Sequence, residues 1–272
     1  SIKSVGNSAF QGCSAVNRLR IESPECSYGP YYFPSFAGIG KNGLRIEFGK
    51  KVTVIPNIDL GPVVQHVTFE GKVEKIGDSA FYGGRKLEEI ELPDSVKEIG
   101  NTAFYGCEKL NSITFGPNLT KIGKSAFEGA KGLTGLVIPE QLEEIGEDAF
   151  KGCSGLKKVE VRGNLAKQSA AFMEAGTEGF EVIYGGNVTS IGNLFYNSAV
   201  KSIQIPEGVE EIQDNAFYEC TNIKEIILPE SIKSVGNSAF QGCSAVNRLR
   251  IESPECSYGP YYFPSFAGIG KN

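Results

Sequence analysis

Apolar residues fall in a fixed beat along most of the chain. Leu87-Glu88-Glu89-Ile90-Glu91-Leu92-Pro93 has the spacing L-x-x-I-x-L, and its last apolar positions alternate, as in a strand with one buried face. Val96 and Ile99 follow, then Ala103-Phe104. The next round reads Leu110, Ile113, Phe115, Pro117, Leu119, Ile122, Ala126 and Phe127. The pattern predicts further strands over 157–161, 180–184, 201–205, 224–228 and 248–251. Phenylalanines at 81, 104, 127, 150, 172, 195, 217 and 240 set steps of 22 or 23 residues. A fixed period of that size means stacked repeats, each touching its neighbours. The expected fold is a repeat solenoid of about 11 rungs, one continuous body over residues 1–272.

Each place in the repeat has an expected task. Proline after the strand ends the ladder, because it has no N–H to donate. Glycine after isoleucine, as in Ile99-Gly100, fits a turn that needs a permissive backbone. Ala-Phe fills the wedge between rungs with one small and one large residue. Two stretches depart from the beat. Residues 164–179 lack the proline and the Ile-Gly, and their helix-favouring composition predicts a helical variant of the rung. Residues 23–36 hold three prolines and the aromatics Tyr28, Tyr31, Tyr32, Phe33 and Phe36, with strand-like 44–48, 52–55 and 66–69 after them.

The ends carry a second period. Residues 1–42 recur without change as residues 231–272, an offset of 230 residues, or ten steps of 23. Neighbouring repeats differ freely, so packing alone does not demand this identity. It arises by recent duplication, by design, or from tandem units of 230 residues, of which 1–230 is one and 231–272 begins the next. Terminal rungs of a solenoid carry polar caps. Neither end shows one here, so the piece should want neighbours, either covalent units or other chains.

The pattern L-x-x-I-x-(I/L)-P-x-x-(V/L)-x-x-I-G-x-x-A-F-x-G-C resembles the BspA-type leucine-rich repeat. The match is strong over 73–161 and 201–251, weaker over 162–200 and poor over 22–65. The resemblance implies a curved, right-handed solenoid with a parallel strand ladder on its concave side. It also implies an extracellular or cell-surface protein linked with adhesion, and it brings no catalytic motif. The expected partner is a protein or a cell surface, or copies of the chain end to end in a fibre.

Composition narrows the chemistry. The net charge is −5, which argues against nucleic acid, whose partners present a basic face. No apolar run reaches membrane-span length. Cys13, Cys107, Cys153, Cys220 and Cys243 each stand three residues after the repeat phenylalanine, where other rungs have Gly84, Ala130, Ala175 or Ser198. The seat wants a small residue, and cysteine serves as a small hydrophobe there. Cys220 and Cys243 occupy adjacent rungs, about 5 Å apart at strand spacing, which brings a disulfide within reach. Cys26 and Cys256 lie in the aromatic stretch and are the candidates for pairing or a reactive thiol outside the cell.

The remaining motifs say little about chemistry. His66 is the only histidine and has no evident partner for base or metal chemistry. Gly38-Ile39-Gly40-Lys41-Asn42-Gly43 matches the dinucleotide fingerprint in letters, but a strand follows it instead of a helix. Gly123-Lys124-Ser125 is the Ile-Gly-x-x-Ala-Phe of its own rung. No cofactor or metal is expected, and no enzyme. Asn118 and Asn187 begin glycosylation sequons. The outward strand row, Arg20, Thr68, Glu91, Thr114, Val137, Glu160, Gln204, Ile227 and Arg250, is mixed in sign and suits a protein partner or none. The aromatics of residues 28–36 have two readings: cover for an irregular rung, or a rigid contact surface.

Overall fold

The computed structural model describes residues 4–5, 13, 15–23, 27–28, 43–57, 63–165, 168–254 and 256–258. Among these it is a solenoid of strands and turns. Eleven long strands, from Arg18–Ile21 to Arg248–Ile251, lie side by side and parallel wherever they pair. Their register follows the period: Glu89, Ile90 and Glu91 stand opposite Ser112, Ile113 and Thr114. The alternation explains the faces, since Ile90 and Ile113 point in and are buried while Glu89, Glu91, Ser112 and Thr114 are exposed.

A second ladder is built from two-residue strands after the turn, such as Lys75–Ile76, Glu98–Ile99, Lys121–Ile122 and Glu144–Ile145. Its isoleucines are buried. Its outward row alternates in sign, with Lys75 Nζ 3.0 Å from Glu98 and Lys121 Nζ 3.4 Å from Glu144. Such exposed pairs contribute at most about 1 kcal/mol each, and slipping by one rung would set like charges side by side.

The repeat phenylalanines form one stacked column through the core. Phe81, Phe104, Phe127, Phe150, Phe172 and Phe195 follow each other with ring centroids 4.8 to 5.2 Å apart. All are buried, and the alanine before most of them is buried too. Backbone bonds join rungs here as well, as from Phe81 N–H to the Ala103 carbonyl at 2.7 Å.

Neither ladder is continuous, and the gaps are offset. Among the described residues the long strands are unpaired between Val64–Phe69 and Glu89–Glu91, between Ser112–Thr114 and Gly135–Ile138, and between Val200–Gln204 and Glu225–Leu228. At those steps the short strands pair without interruption. The short ladder lapses between Glu144–Ile145 and Ser190–Ile191, where Gly135–Ile138, Lys158–Val161, Phe180–Tyr184 and Val200–Gln204 pair throughout.

Two expectations are corrected here. The described part of residues 164–179 contains no helix. Phe172 has to join the column between Phe150 and Phe195, and Ser169 Oγ donates to the Ile145 carbonyl at 2.8 Å, so rung packing overrides local propensity. The glycine after isoleucine does not have the left-handed backbone. It is small because rungs approach there: a Cβ on Gly123 would lie 2.6 Å from the Asn101 nitrogen, and one on Gly146 2.5 Å from the Lys124 nitrogen. The left-handed positions lie elsewhere. One falls two residues before the phenylalanine, as in Thr102 and Ser125, and the other two after it, as in Gly106 and Gly129.

Candidate interaction face

The outward positions of the long strands form two rows. The first runs through Arg18, Arg45, His66, Glu89, Ser112 and onward, and the second through Arg20, Glu47, Thr68, Glu91 and Thr114. Further on the second row carries Val137 and Ile227, 39% and 40% exposed. The face is charged at its beginning. Arg18 Nη2 lies 2.6 Å from Glu47, and Arg20 holds both carboxylate oxygens of Glu70 at 2.7 and 2.8 Å. That fork keeps the Glu70 carboxyl below its usual range.

Where the long ladder first opens, the face has a groove of about 670 Å³ between strands 64–69, 89–91 and 112–114. Ile90, Leu92 and Ile113, all buried, lie under it beside the half-buried Phe115. Arg45 and His66 line it together with Glu89 and Glu91 of the middle strand and Asp94 after it, and Ser112 and Thr114 line it from the far strand. His66 is exposed, at the register position opposite Arg45. No group of three or more metal-ligating side chains occurs among the described residues.

Four of the five cysteine seats are closed, and Cys13 is half-buried. Cys107, Cys153, Cys220 and Cys243 are buried, and each thiol donates to the carbonyl of the phenylalanine one rung back: Phe81, Phe127, Phe195 and Phe217, at 3.0 to 3.3 Å. Cys220 and Cys243, close enough in sequence terms for a disulfide, are both free, and each thiol is held by a separate carbonyl. Burial pushes the Cys107 and Cys220 thiols up to about 12, and those of Cys153 and Cys243 higher still. Such thiols are poor nucleophiles.

Other sequence candidates are scattered. Tyr31, Tyr32, Phe33, Phe36 and Cys26 lie outside the described residues, and Tyr28 is described only as the end of the short strand Ser27–Tyr28. Cys256 is half-buried. Asn118 and Asn187 are exposed, with their amides donating to the Asp94 carbonyl at 2.8 Å and to Glu140 at 3.0 Å. The groove was not foreseen, since it arises from an unpaired step that no residue spells out. A second unforeseen feature is a pair of surface tyrosine stacks, Tyr82 on Tyr105 and Tyr196 on Tyr218, each with centroids 4.9 Å apart. The recurring Phe-Tyr dipeptide was their signal.

A family model described as the BspA type leucine-rich repeat region matches residues 63–178 and 189–269, in six copies. The chain belongs to that family. The match omits 1–62, although residues 1–39 are identical to the matched residues 231–269. No curated protein matches. Among solved structures, a leucine-rich repeat protein from Bacteroides ovatus aligns with a TM-score of 0.65 at 22% identity, over 94% of this chain and 77% of that one. The pneumococcal vaccine antigen PcpA aligns at 0.50 and 22%, over 89% and 74%. A leucine-rich repeat protein from Eubacterium ventriosum aligns at 0.52 and 15%, over 90% and 87%. At such identities the likeness concerns the fold.

Proposed function

We propose that this BspA-type solenoid is a non-enzymatic protein-interaction module, displayed outside the cell, that binds a protein of another cell or matrix as an adhesin does. The observation that carries this reading is the groove on the long-strand face. Its apolar floor of Ile90, Leu92 and Ile113 is lined by charges of both signs, among them Arg45, Glu89, Glu91 and Asp94. An apolar centre with a charged rim is the anatomy of a protein interface. Lining charges of both signs favour a partner segment of mixed charge. The thiols of Cys107, Cys153, Cys220 and Cys243, closed off by burial, favour binding over covalent chemistry at those seats. A surface location draws on the family and on PcpA, which is named as a vaccine antigen. The aromatic stretch, with Tyr31, Tyr32 and Phe33, is proposed as a second contact.

Adhesion of the labelled chain to cultured cells and to immobilised matrix proteins tests this. Arg45→Glu with Glu91→Arg should reduce binding about tenfold or more while the circular dichroism spectrum stays unchanged. Replacing Tyr31, Tyr32 and Phe33 by alanine reports on the second contact separately. Binding untouched by the rim variant would remove the groove from the reading.

A further inference from the structure

The shelf along the short ladder changes character part-way along the chain. Its outward row begins as Lys75, Glu98, Lys121 and Glu144, closed by ion pairs at 3.0 and 3.4 Å. Lys124 and Glu147 close the loop row beside it at 2.7 Å. After the lapse in the short ladder the outward row reads Ser190, Glu211 and Ser234, with no lysine to span it. The short serines leave a trough of about 790 Å³. Small-molecule sites occupy about 300 to 1,000 Å³.

The trough is lined by amides. Gln168, Asn193, Gln213, Asn215 and Asn237 line it, together with the carboxylates of Glu211 and Asp214. Neither a cationic side chain nor an aromatic ring occurs among its described lining residues. Several of these groups are already held in place. Gln213 Nε2 donates to Ser190 Oγ at 2.8 Å, and Ser190 Oγ donates to Glu211 at 3.1 Å. Asp214 Oδ1 accepts the Asn237 N–H at 2.6 Å. Gln168 lies with its amide over Gly192. Gln213 is itself a departure from the repeat, since Gly123, Gly146 and Gly236 fill that place in other rungs.

We infer that this trough binds a neutral saccharide through its hydroxyl groups. A sugar hydroxyl both donates and accepts, and a side-chain amide does the same, while a carboxylate accepts. The bond to Ser190 uses one N–H of the Gln213 amide, and an amide offers a second N–H and a carbonyl oxygen besides. Anionic ligands are disfavoured, because Glu211 and Asp214 bring negative charge that no lining cation offsets. An apolar ligand would cover these polar groups without satisfying them. With no ring to stack on, the site reads the hydroxyl edges of a sugar instead of its faces. Affinity per site should therefore be weak, with a Kd of about 1 mM. The bonds that hold Gln213 and Asp214 beforehand lower the cost of ordering them on binding. The trough lies on the short ladder and the groove on the long one, so the saccharide site does not depend on the groove.

Native electrophoresis of the full chain through gels that contain a polysaccharide is the test, because it registers weak binding. Mannan, xylan, galactan and dextran serve as neutral probes, and dextran sulfate as an anionic one. At least one neutral probe should slow the chain, and dextran sulfate should not. Gln213→Gly installs the residue that other rungs have, so the fold is kept while the central amide is lost. It should weaken the retardation about threefold or more. Ser234→Lys sets a cation opposite Glu211, in the manner of Lys121 beside Glu144, and fills the trough. It should abolish the retardation with the melting temperature unchanged. Arg45→Glu with Glu91→Arg should be slowed like the parent, which separates this site from the groove. A chain slowed by none of the neutral probes overturns the inference. So does retardation that survives both Gln213→Gly and Ser234→Lys, or slowing by dextran sulfate as strong as by any neutral probe.

Discussion

Phe195 and Phe217 stack with planes 3° apart but with centroids 6.3 Å apart, whereas their neighbours in the column sit 4.8 to 5.3 Å from each other. Two substitutions in the repeat meet at this step. Leu194 fills a seat that is alanine in most rungs, and Gln213 stands where Gly123 and Gly146 let adjoining rungs approach. Leu194→Ala with Gln213→Gly should bring the two rings to about 5 Å, as a crystal structure of the variant would show. Unchanged spacing would mean that neither residue is the wedge.

The close approach itself sets a cost. Gly123→Ala would place a Cβ 2.6 Å from backbone atoms of Asn101 and Gly100, with no flexible side chain to yield. It should destabilise by about 3 kcal/mol, read from the urea midpoint. Gly129→Ala would meet only an ordinary contact, Gly106 Cα at 3.8 Å, but at a left-handed φ of +74°, and should cost about 1 kcal/mol. A reversed order of the two would contradict the assignment of these glycines.

Glu219 holds a left-handed φ of 56° at the place where five of the described rungs have a left-handed glycine. Glu219→Gly should therefore stabilise by about 0.5 kcal/mol, the relief of strain being partly offset by a freer unfolded chain. Thermal melts of the pair decide the sign.

Tyr184 is buried, and among the described residues its hydroxyl has no hydrogen-bond partner. Burial holds its pKa well above the ordinary value. Tyr184→Phe removes an unmet polar group and should be neutral or stabilising by up to about 1 kcal/mol. A loss of more than that in the denaturant midpoint would reveal a partner for the hydroxyl.

The Cys107 and Cys220 thiols, raised to about 12, should resist iodoacetamide at pH 8 in the native protein and react fully in denaturant. The sign of the pH effect follows from the same shift. Their contribution to stability is complete below the ordinary thiol value of 9.0 and is lost as the pH rises towards about 12. Native labelling as fast as that of an exposed thiol would contradict the closed seats.

Much of the solenoid could be read from spacing alone, because every rung repeats the same burial problem. The phenylalanine column, the buried alanines and the small-residue seat at Cys107 follow from residues recurring at fixed places. What spacing could not tell was why Gly100 is glycine, since a turn and a near backbone leave the same letter; the distance to Gly77 and Asp78 separates them. Helix propensity around Ala170 misled because the rungs on either side decide the path of that segment. The candidate face was legible in its outward residues and illegible in its groove. Its depth comes from an unpaired step between Val67 and Ile90 that neither side chain announces.

The offset gaps in the two ladders have a mechanical consequence. A wall with every joint aligned splits along one line, whereas bricks laid with staggered joints do not. No step among the described rungs is open in both ladders at once. Tension along the axis therefore meets at least one line of strand bonds at every level, and a crack begun in one ladder is stopped by the other. A molecule stretched between two surfaces resists with all its rungs.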